Sequence, residues 1–171
     1  RNMSGGLDRF RAVWVLDFEF VAGEGENPVP VCLVAKEWRT GQVLRRWQDD
    51  LSASPFPCDS QTLLVAYYAS AEWNCFLALG WPLPACCLDL YAEFRCLSNN
   101  RFTQGSSLLG ALCFFGLPGI TADEKTDMRR LIMDGGPWTA EQRVAILDYC
   151  QSDVDATAAL LTAMTQRGGL D

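Results

Sequence analysis

The chain has 171 residues, of which 49% are hydrophobic, and a formal net charge of −7. This length suits one domain with a substantial core. The acidic balance argues against sequence-independent nucleic-acid binding through a basic surface, although bound cations can change the local charge of an acidic site. No apolar run free of charge approaches 18 residues, so we predict no membrane span.

The chain contains eight cysteines and no histidine. The cysteines lack C-x-x-C spacing, and the first six residues lack the apolar segment of a secretory signal. We therefore expect reduced, mostly buried cysteines in an intracellular protein of the cytoplasm or nucleoid. The absence of histidine excludes Ser-His-Asp and Cys-His catalysis and leaves carboxylates, Tyr, Lys, Arg or a thiol for any chemistry.

The first predicted strand, residues 13–20, ends with two carboxylates. Because side chains alternate along a strand, Asp17 and Glu19 point to one face, roughly 6–7 Å apart, and Phe18 and Phe20 point to the other. Two like charges at the end of a buried strand are costly unless a cation lies between them or the strand has reached solvent. The pattern predicts either half of a divalent-metal site or a solvated strand end.

Strand and helix signals then alternate along the chain. We predict that Ser70 caps the helix that follows the fourth strand and that Gly80 ends it. The first three strands are typical of an antiparallel meander, so the pattern predicts an α/β fold with a mixed sheet. The later predicted strands cover 31–38, 43–48, 63–68 and 86–90, and the helices cover 71–79, 91–97, 107–115 and 122–133.

The last helix begins at a predicted capping box, in which Thr139 is the cap and Gln142 lies three residues later. Its predicted apolar stripe consists of Val144, Leu147, Cys150, Val154, Ala158, Leu161 and Met164.

Tyr149 and Asp153 are four residues apart on this helix and therefore share a face. Asp148 and Asp155 fall elsewhere around the helix, where we expect them to face solvent. A phenol and a carboxylate on one helical face are weak evidence of function by themselves.

The combined motifs resemble the DEDD superfamily of 3′–5′ exonucleases, in its tyrosine-bearing branch. They are Asp-x-Glu on the first strand, an acid after the fourth strand and Tyr-x-x-x-Asp on the last helix. The branch includes the proofreading domains of family A DNA polymerases, and the stretch 64–95 is similar to phage or mobile-element polymerases. The resemblance implies a ribonuclease H-like mixed sheet flanked by helices. It also implies that residues 1–171 are one exonuclease domain excised from a longer polymerase-like protein.

The second motif departs from the family pattern, which has an Asp preceded by Phe, with Asn four residues back. Here the acid is Glu72, which follows Ala71, and Tyr68 lies four residues back. Glu is one methylene longer than Asp and can reach a metal directly or through water. Asp89 is the alternative fourth acid, although its strand position fits a structural role better.

An all-oxygen ligand set favours Mg²⁺ or Mn²⁺, and two such ions can clamp an in-line attack on a phosphodiester. The resemblance implies that Asp17, Glu19 and Asp153 hold the ion that activates water. It also implies that Asp17 holds the second ion with help from Glu72. The resemblance further implies that Tyr149 orients the attacking water, in the place that histidine takes in the sister branch.

The resemblance implies that the substrate is the single-stranded 3′ end of DNA, delivered by an attached polymerase domain. Phe20, Trp73 and Phe76 are candidates for base stacking, although we expect at least two of them to be core residues. The arginine pairs 9/11, 45/46 and 129/130 could hold phosphates, or could simply be solvated. Two alternatives stay open: an RNA-trimming exonuclease of the ribonuclease D type, and a degenerate structural or strand-binding module of a polymerase.

Overall fold

The computed structural model of the chain describes residues 6–99, 105–119, 122–167 and 170. Within these residues, strands and helices follow one another in the predicted order. The strands are β1 (Ala12–Val21), β2 (Val29–Glu37), β3 (Val43–Trp47), β4 (Thr62–Ala66) and β5 (Cys86–Asp89). The helices are α1 (Ala69–Ala78), α2 (Leu90–Ser98), α3 (Leu108–Phe115), α4 (Ala122–Met133) and α5 (Ala140–Gln166).

The strands form one mixed sheet in the order β3-β2-β1-β4-β5, with β1 in the centre. β1 to β3 form the predicted antiparallel meander, and β4 and β5 run parallel to β1. β4 pairs with β1 only over residues 12–15, whereas β2 follows β1 as far as Val21. The carboxyl half of β1 therefore extends beyond β4, and its carboxylates lie where the sheet opens.

The two faces of β1 pack against different helices. Val13 and Val15 are fully buried in the cluster that includes the apolar face of α5. Leu16 and Phe18 belong to a second cluster, which includes the buried face of α1. Asp17 and Glu19 lie on the same face of the strand as these two valines, so they face α5.

The prediction that Ser70 caps α1 was wrong. The helix begins at Ala69, and its N-cap residue is Tyr68, whose backbone is left-handed, with φ of 65°. The reason is a tertiary contact: Oδ1 of Asp89 accepts a hydrogen bond from the backbone N–H of Tyr68 at 3.0 Å. The same atom accepts from the N–H of Tyr91 and thereby caps α2.

The capping box at the start of α5 is confirmed, because Thr139 and Gln142 exchange the two expected hydrogen bonds. The start of the predicted stripe was wrong: Val144 is 55% exposed, and Ile146 is buried instead. Ile146 lies four residues before the buried Cys150 and therefore shares its helix face. Val144 lies six residues before Cys150 and therefore lies on a different face.

All eight cysteines are free, but the prediction that most of them are buried was wrong. Cys32, Cys75 and Cys150 are buried, whereas Cys58, Cys87, Cys96 and Cys113 are exposed. The exposed cysteines lie at sheet edges, in loops or on outer helix faces, positions that spacing alone does not reveal. Among the described helices, none is long and apolar enough to cross a bilayer.

Candidate metal centre

Five of the predicted site residues line a single groove of about 550 Å³. Three elements supply its acids: β1 carries Asp17 and Glu19, the first turn of α1 carries Glu72, and α5 carries Asp153. Tyr149 lies one turn before Asp153 and lines the same groove. The structure thus brings together residues that are up to 136 positions apart in the sequence.

Glu72 is only 3% exposed and is anchored to β1. Its Oε2 accepts a hydrogen bond from the backbone N–H of Phe18 at 2.8 Å. Phe18 lies beyond the part of β1 that pairs with β4, so the carboxylate supplies an acceptor where the parallel neighbour has ended. Burial, and then the charge of Asp17, raise the pKa of Glu72 well above its usual value.

The acids of β1 lie in an environment short of positive charge. Burial and the nearby charge of Asp153 raise the pKa of Asp17 to about 8. Burial and the charge of Asp17 also raise the pKa of Glu19. Among the described residues, the Glu19 carboxylate has no hydrogen bond or ion pair. A cation would favour the ionised forms of these acids, so the donor set fits a bound divalent metal.

Lys125 of α4 was not among the predicted site residues. Its Nζ lies 3.0 Å from Oδ1 of Asp153, and both side chains are largely shielded from solvent. Its charge also lowers the pKa of Asp17 and Glu19 against the larger effect of burial. No motif marks this lysine in the sequence, because its role depends on how α4 packs beside α5.

Cys150 is a second group that the sequence did not identify. Its Sγ donates to the backbone carbonyl of Asp17 at 3.3 Å and lies 3.5 Å from Oδ2 of the same residue. Ligand atoms of Asp17, Glu19 and Cys150 all lie within 4.8 Å of one another. The thiol of Cys32, on β2, contacts that of Cys150. Two cysteines 118 positions apart thus meet beside the acids, where cysteine spacing had predicted no metal site.

Tyr149 is half-buried, and burial and the charge of Asp153 raise the pKa of its phenol. The phenol therefore stays protonated at neutral pH and acts as a hydrogen-bond donor or acceptor rather than as a base. The chain has no histidine that could take the place of Tyr149 as a base.

Asp89, the alternative fourth acid, does not line the groove. Its carboxylate accepts hydrogen bonds from the backbone N–H groups of Tyr68 and Tyr91, which is a structural role. Asp148 and Asp155 also lie away from the groove, and each pairs with a lysine or arginine of the sheet. The pairs are Arg45–Asp148 at 2.7 Å and Lys36–Asp155 at 2.8 Å.

The three candidates for base stacking, Phe20, Trp73 and Phe76, occupy different environments in the structure. Phe76 is fully buried, and Trp73 packs edge-on against it at a centroid distance of 5.3 Å. Phe20 lines the groove, together with Tyr68, which is 54% exposed and which the sequence did not identify as a stacking candidate.

A second groove, of about 690 Å³, joins the first along α4. Arg129 lines both grooves, and Arg130 lines the second. Within the described part of the chain, neither arginine has an ion pair. In the other two predicted arginine pairs, by contrast, Arg11 and Arg45 each form an ion pair with an aspartate.

No protein-family model and no curated protein matches the chain. Among solved structures, the Aedes aegypti Nibbler EXO domain is 13% identical, with a TM-score of 0.50, over 95% of this chain and 85% of that one. An EXD2 exonuclease domain soaked in Mn is 20% identical, with a TM-score of 0.40, over 89% and 75% of the two chains. A further EXD2 exonuclease domain structure has the same identity and TM-score over 98% and 84%.

The likeness to the Nibbler EXO domain concerns the fold. Together with the mixed sheet and its flanking helices, it confirms the predicted ribonuclease H-like α/β architecture. The resemblance to polymerase proofreading domains stays a prediction.

Proposed function

We propose that the chain is a metal-dependent 3′–5′ exonuclease of the tyrosine-bearing DEDD branch. It hydrolyses phosphodiester bonds at the 3′ end of single-stranded DNA. The observation that carries this proposal is the convergence of Asp17, Glu19, Glu72 and Asp153 on one groove, with Tyr149 beside them. Four carboxylates with little cationic compensation are costly for a fold unless they serve to bind cations.

The carboxylates fit two Mg²⁺ or Mn²⁺ ions, because oxygen ligands suit hard divalent cations. In this proposal Asp17, Glu19 and Asp153 hold one ion, and Asp17 and Glu72 hold the other. Bound divalent ions lower the pKa of water and stabilise the leaving oxygen in phosphodiester hydrolysis.

The protein's own residues position the reactants. Tyr149 keeps its phenolic proton and donates it in a hydrogen bond that orients the attacking water. Glu72 also fixes the end of β1 through the N–H of Phe18, which holds Asp17 and Glu19 in place. Arg129 lies where it can contact a backbone phosphate, since it lines both grooves.

The aromatic lining of the groove suits a single strand. Phe20 and Tyr68 offer partly exposed aromatic surface for base stacking, which is sequence-tolerant. Arg129 and Arg130 provide local positive charge in a chain of net charge −7. Such limited charge suits a domain that receives its strand from a larger protein, and we propose a polymerase-like parent protein.

The test uses 5′-labelled single-stranded DNA and RNA oligonucleotides, incubated with the chain and Mg²⁺ or Mn²⁺, with and without chelator. We expect a ladder of shortened DNA products that chelator abolishes. Asp17→Asn should slow the reaction by at least about 100-fold, the usual cost of losing one preorganised electrostatic group. Asp148→Asn is the matched control, because it changes an exposed acid outside the groove.

Each contrary result has a definite meaning. No ladder with either metal would favour a structural or strand-binding module. Degradation of RNA but not DNA would favour the ribonuclease D type of substrate.

A further inference from the structure

We propose that Asp17, Glu19 and Cys150 form a binding site for a thiophilic divalent cation such as Zn²⁺ or Cd²⁺. The site overlaps the one proposed for Mg²⁺ or Mn²⁺, so a thiophilic cation acts there as an inhibitor. The inhibitory consequence rests on the proposed function, whereas the ligation itself depends only on these three side chains.

The distances suit a small tetrahedral ion. Zinc binds thiolate sulfur at about 2.3 Å and carboxylate oxygen at about 2.0–2.2 Å, so a tetrahedral angle places sulfur and oxygen about 3.6 Å apart. Sγ of Cys150 lies 3.5 Å from Oδ2 of Asp17. The ligand atoms of all three residues lie within 4.8 Å of one another, so small side-chain rotations complete the set.

Neighbouring groups favour a cation at this place. The Glu19 carboxylate lacks a hydrogen-bond or ion-pair partner among the described residues, and it lines the same groove as Asp17. Cys150 is fully buried on α5 and is held against the backbone of β1, so its sulfur has a fixed position beside Asp17. The site therefore consists of two carboxylates and a thiol supplied by two different elements.

The ligand chemistry separates two classes of metal. Mg²⁺ takes oxygen ligands, whereas Zn²⁺ and Cd²⁺ also accept thiolate. Binding to Cys150 breaks the S–H bond, forms a metal–sulfur bond and releases the proton to solvent. A cation held in this way occupies Asp17 and Glu19, both of which the proposed reaction needs.

The test is a Cd²⁺ titration of the metal-free chain, followed by the ultraviolet sulfur-to-cadmium charge-transfer band. A weak chelator suppresses binding by exposed thiols. We expect the band to saturate at one equivalent in the unmodified chain and in Cys113→Ser, which removes an exposed cysteine. We expect it to be lost in Cys150→Ser and in Asp17→Asn, because thiol and carboxylate bind the same ion.

Two results would overturn the inference: a one-equivalent band that survives in Cys150→Ser, or one that persists undiminished in Asp17→Asn. Should Cys150→Ser or Cys150→Ala fail to fold, cadmium NMR of the unmodified chain decides, because a resonance typical of oxygen ligands alone contradicts thiolate ligation. A chain that shows no band but degrades oligonucleotides with Mg²⁺ overturns this inference and leaves the proposed function standing. A band at one equivalent in a chain that has no exonuclease activity would support this inference and contradict the proposed function.

Discussion

At the scale of single residues, Glu72 combines a structural and a proposed catalytic role. Its carboxylate accepts the N–H of Phe18 and lies among other acids at the groove. The hydrogen bond stabilises the fold, whereas the buried charge opposes it, since burial and Asp17 raise the pKa of Glu72. The two effects can be separated by substitution.

Glu72→Gln keeps an oxygen that can accept from the Phe18 N–H and removes the charge. We expect the rate of DNA degradation to fall by about 10²–10³-fold. The melting temperature in chelator should stay equal or rise, because a buried charge is costly. Both quantities are measured on the purified chain, by the ladder assay and by thermal unfolding.

Glu72→Ala is the control for the structural role. It leaves the Phe18 N–H without its acceptor, which costs about 1–3 kcal/mol, so its melting temperature should fall. Full activity in Glu72→Gln would show that Glu72 only anchors β1.

At the scale of elements, Asp89 connects the end of β5 to the starts of α1 and α2. It accepts hydrogen bonds from the backbone N–H groups of Tyr68 and Tyr91, each at 3.0 Å. This connection sets the left-handed turn at Tyr68, and hence the direction in which α1 presents Glu72.

We expect Asp89→Ala to lower the free energy of unfolding by about 1 kcal/mol, a typical cost of losing an N-cap. This corresponds to a fall in melting temperature of about 2–4 °C for a chain of this size. Asp89→Asn should retain both stability and exonuclease activity, because Asn caps helices as well as Asp does. Loss of activity in a stably folded Asp89→Asn variant would instead make Asp89 the fourth acid.

At the scale of the whole molecule, the acid cluster connects stability to pH and to metal. Asp17 has a pKa of about 8 in the folded chain against an ordinary value of 3.8. The folded, metal-free chain therefore binds more protons than the unfolded chain between these values, and its stability falls as pH rises through that window. Metal that binds the ionised acids reverses the trend.

Thermal unfolding in chelator should therefore give a lower melting temperature at pH 8 than at pH 5.5. Mn²⁺ should raise the melting temperature more at pH 8 than at pH 5.5. Asp17→Asn should weaken both effects, because it removes one titrating group. A pH profile in chelator that is the same in Asp17→Asn would contradict a raised pKa of Asp17.

The sequence by itself determined the order of strands and helices along the chain. Alternation along residues 13–20 was enough to place Asp17 and Glu19 on one face, and the four-residue spacing put Tyr149 beside Asp153. These features are local, because strand and helix periodicity fix which side chains share a face. The capping box at Thr139 was predictable for the same reason.

Only the tertiary structure decided how the site is completed. The turn that orients Glu72 depends on Asp89, the pairing of Lys125 with Asp153 depends on the packing of α4, and Cys150 reaches Asp17 only because α5 crosses β1. Each contact joins residues that are distant in the chain, and spacing carries no information about such contacts. Burial is also a tertiary property, and it is what raises the pKa of the acids and makes a bound cation favourable.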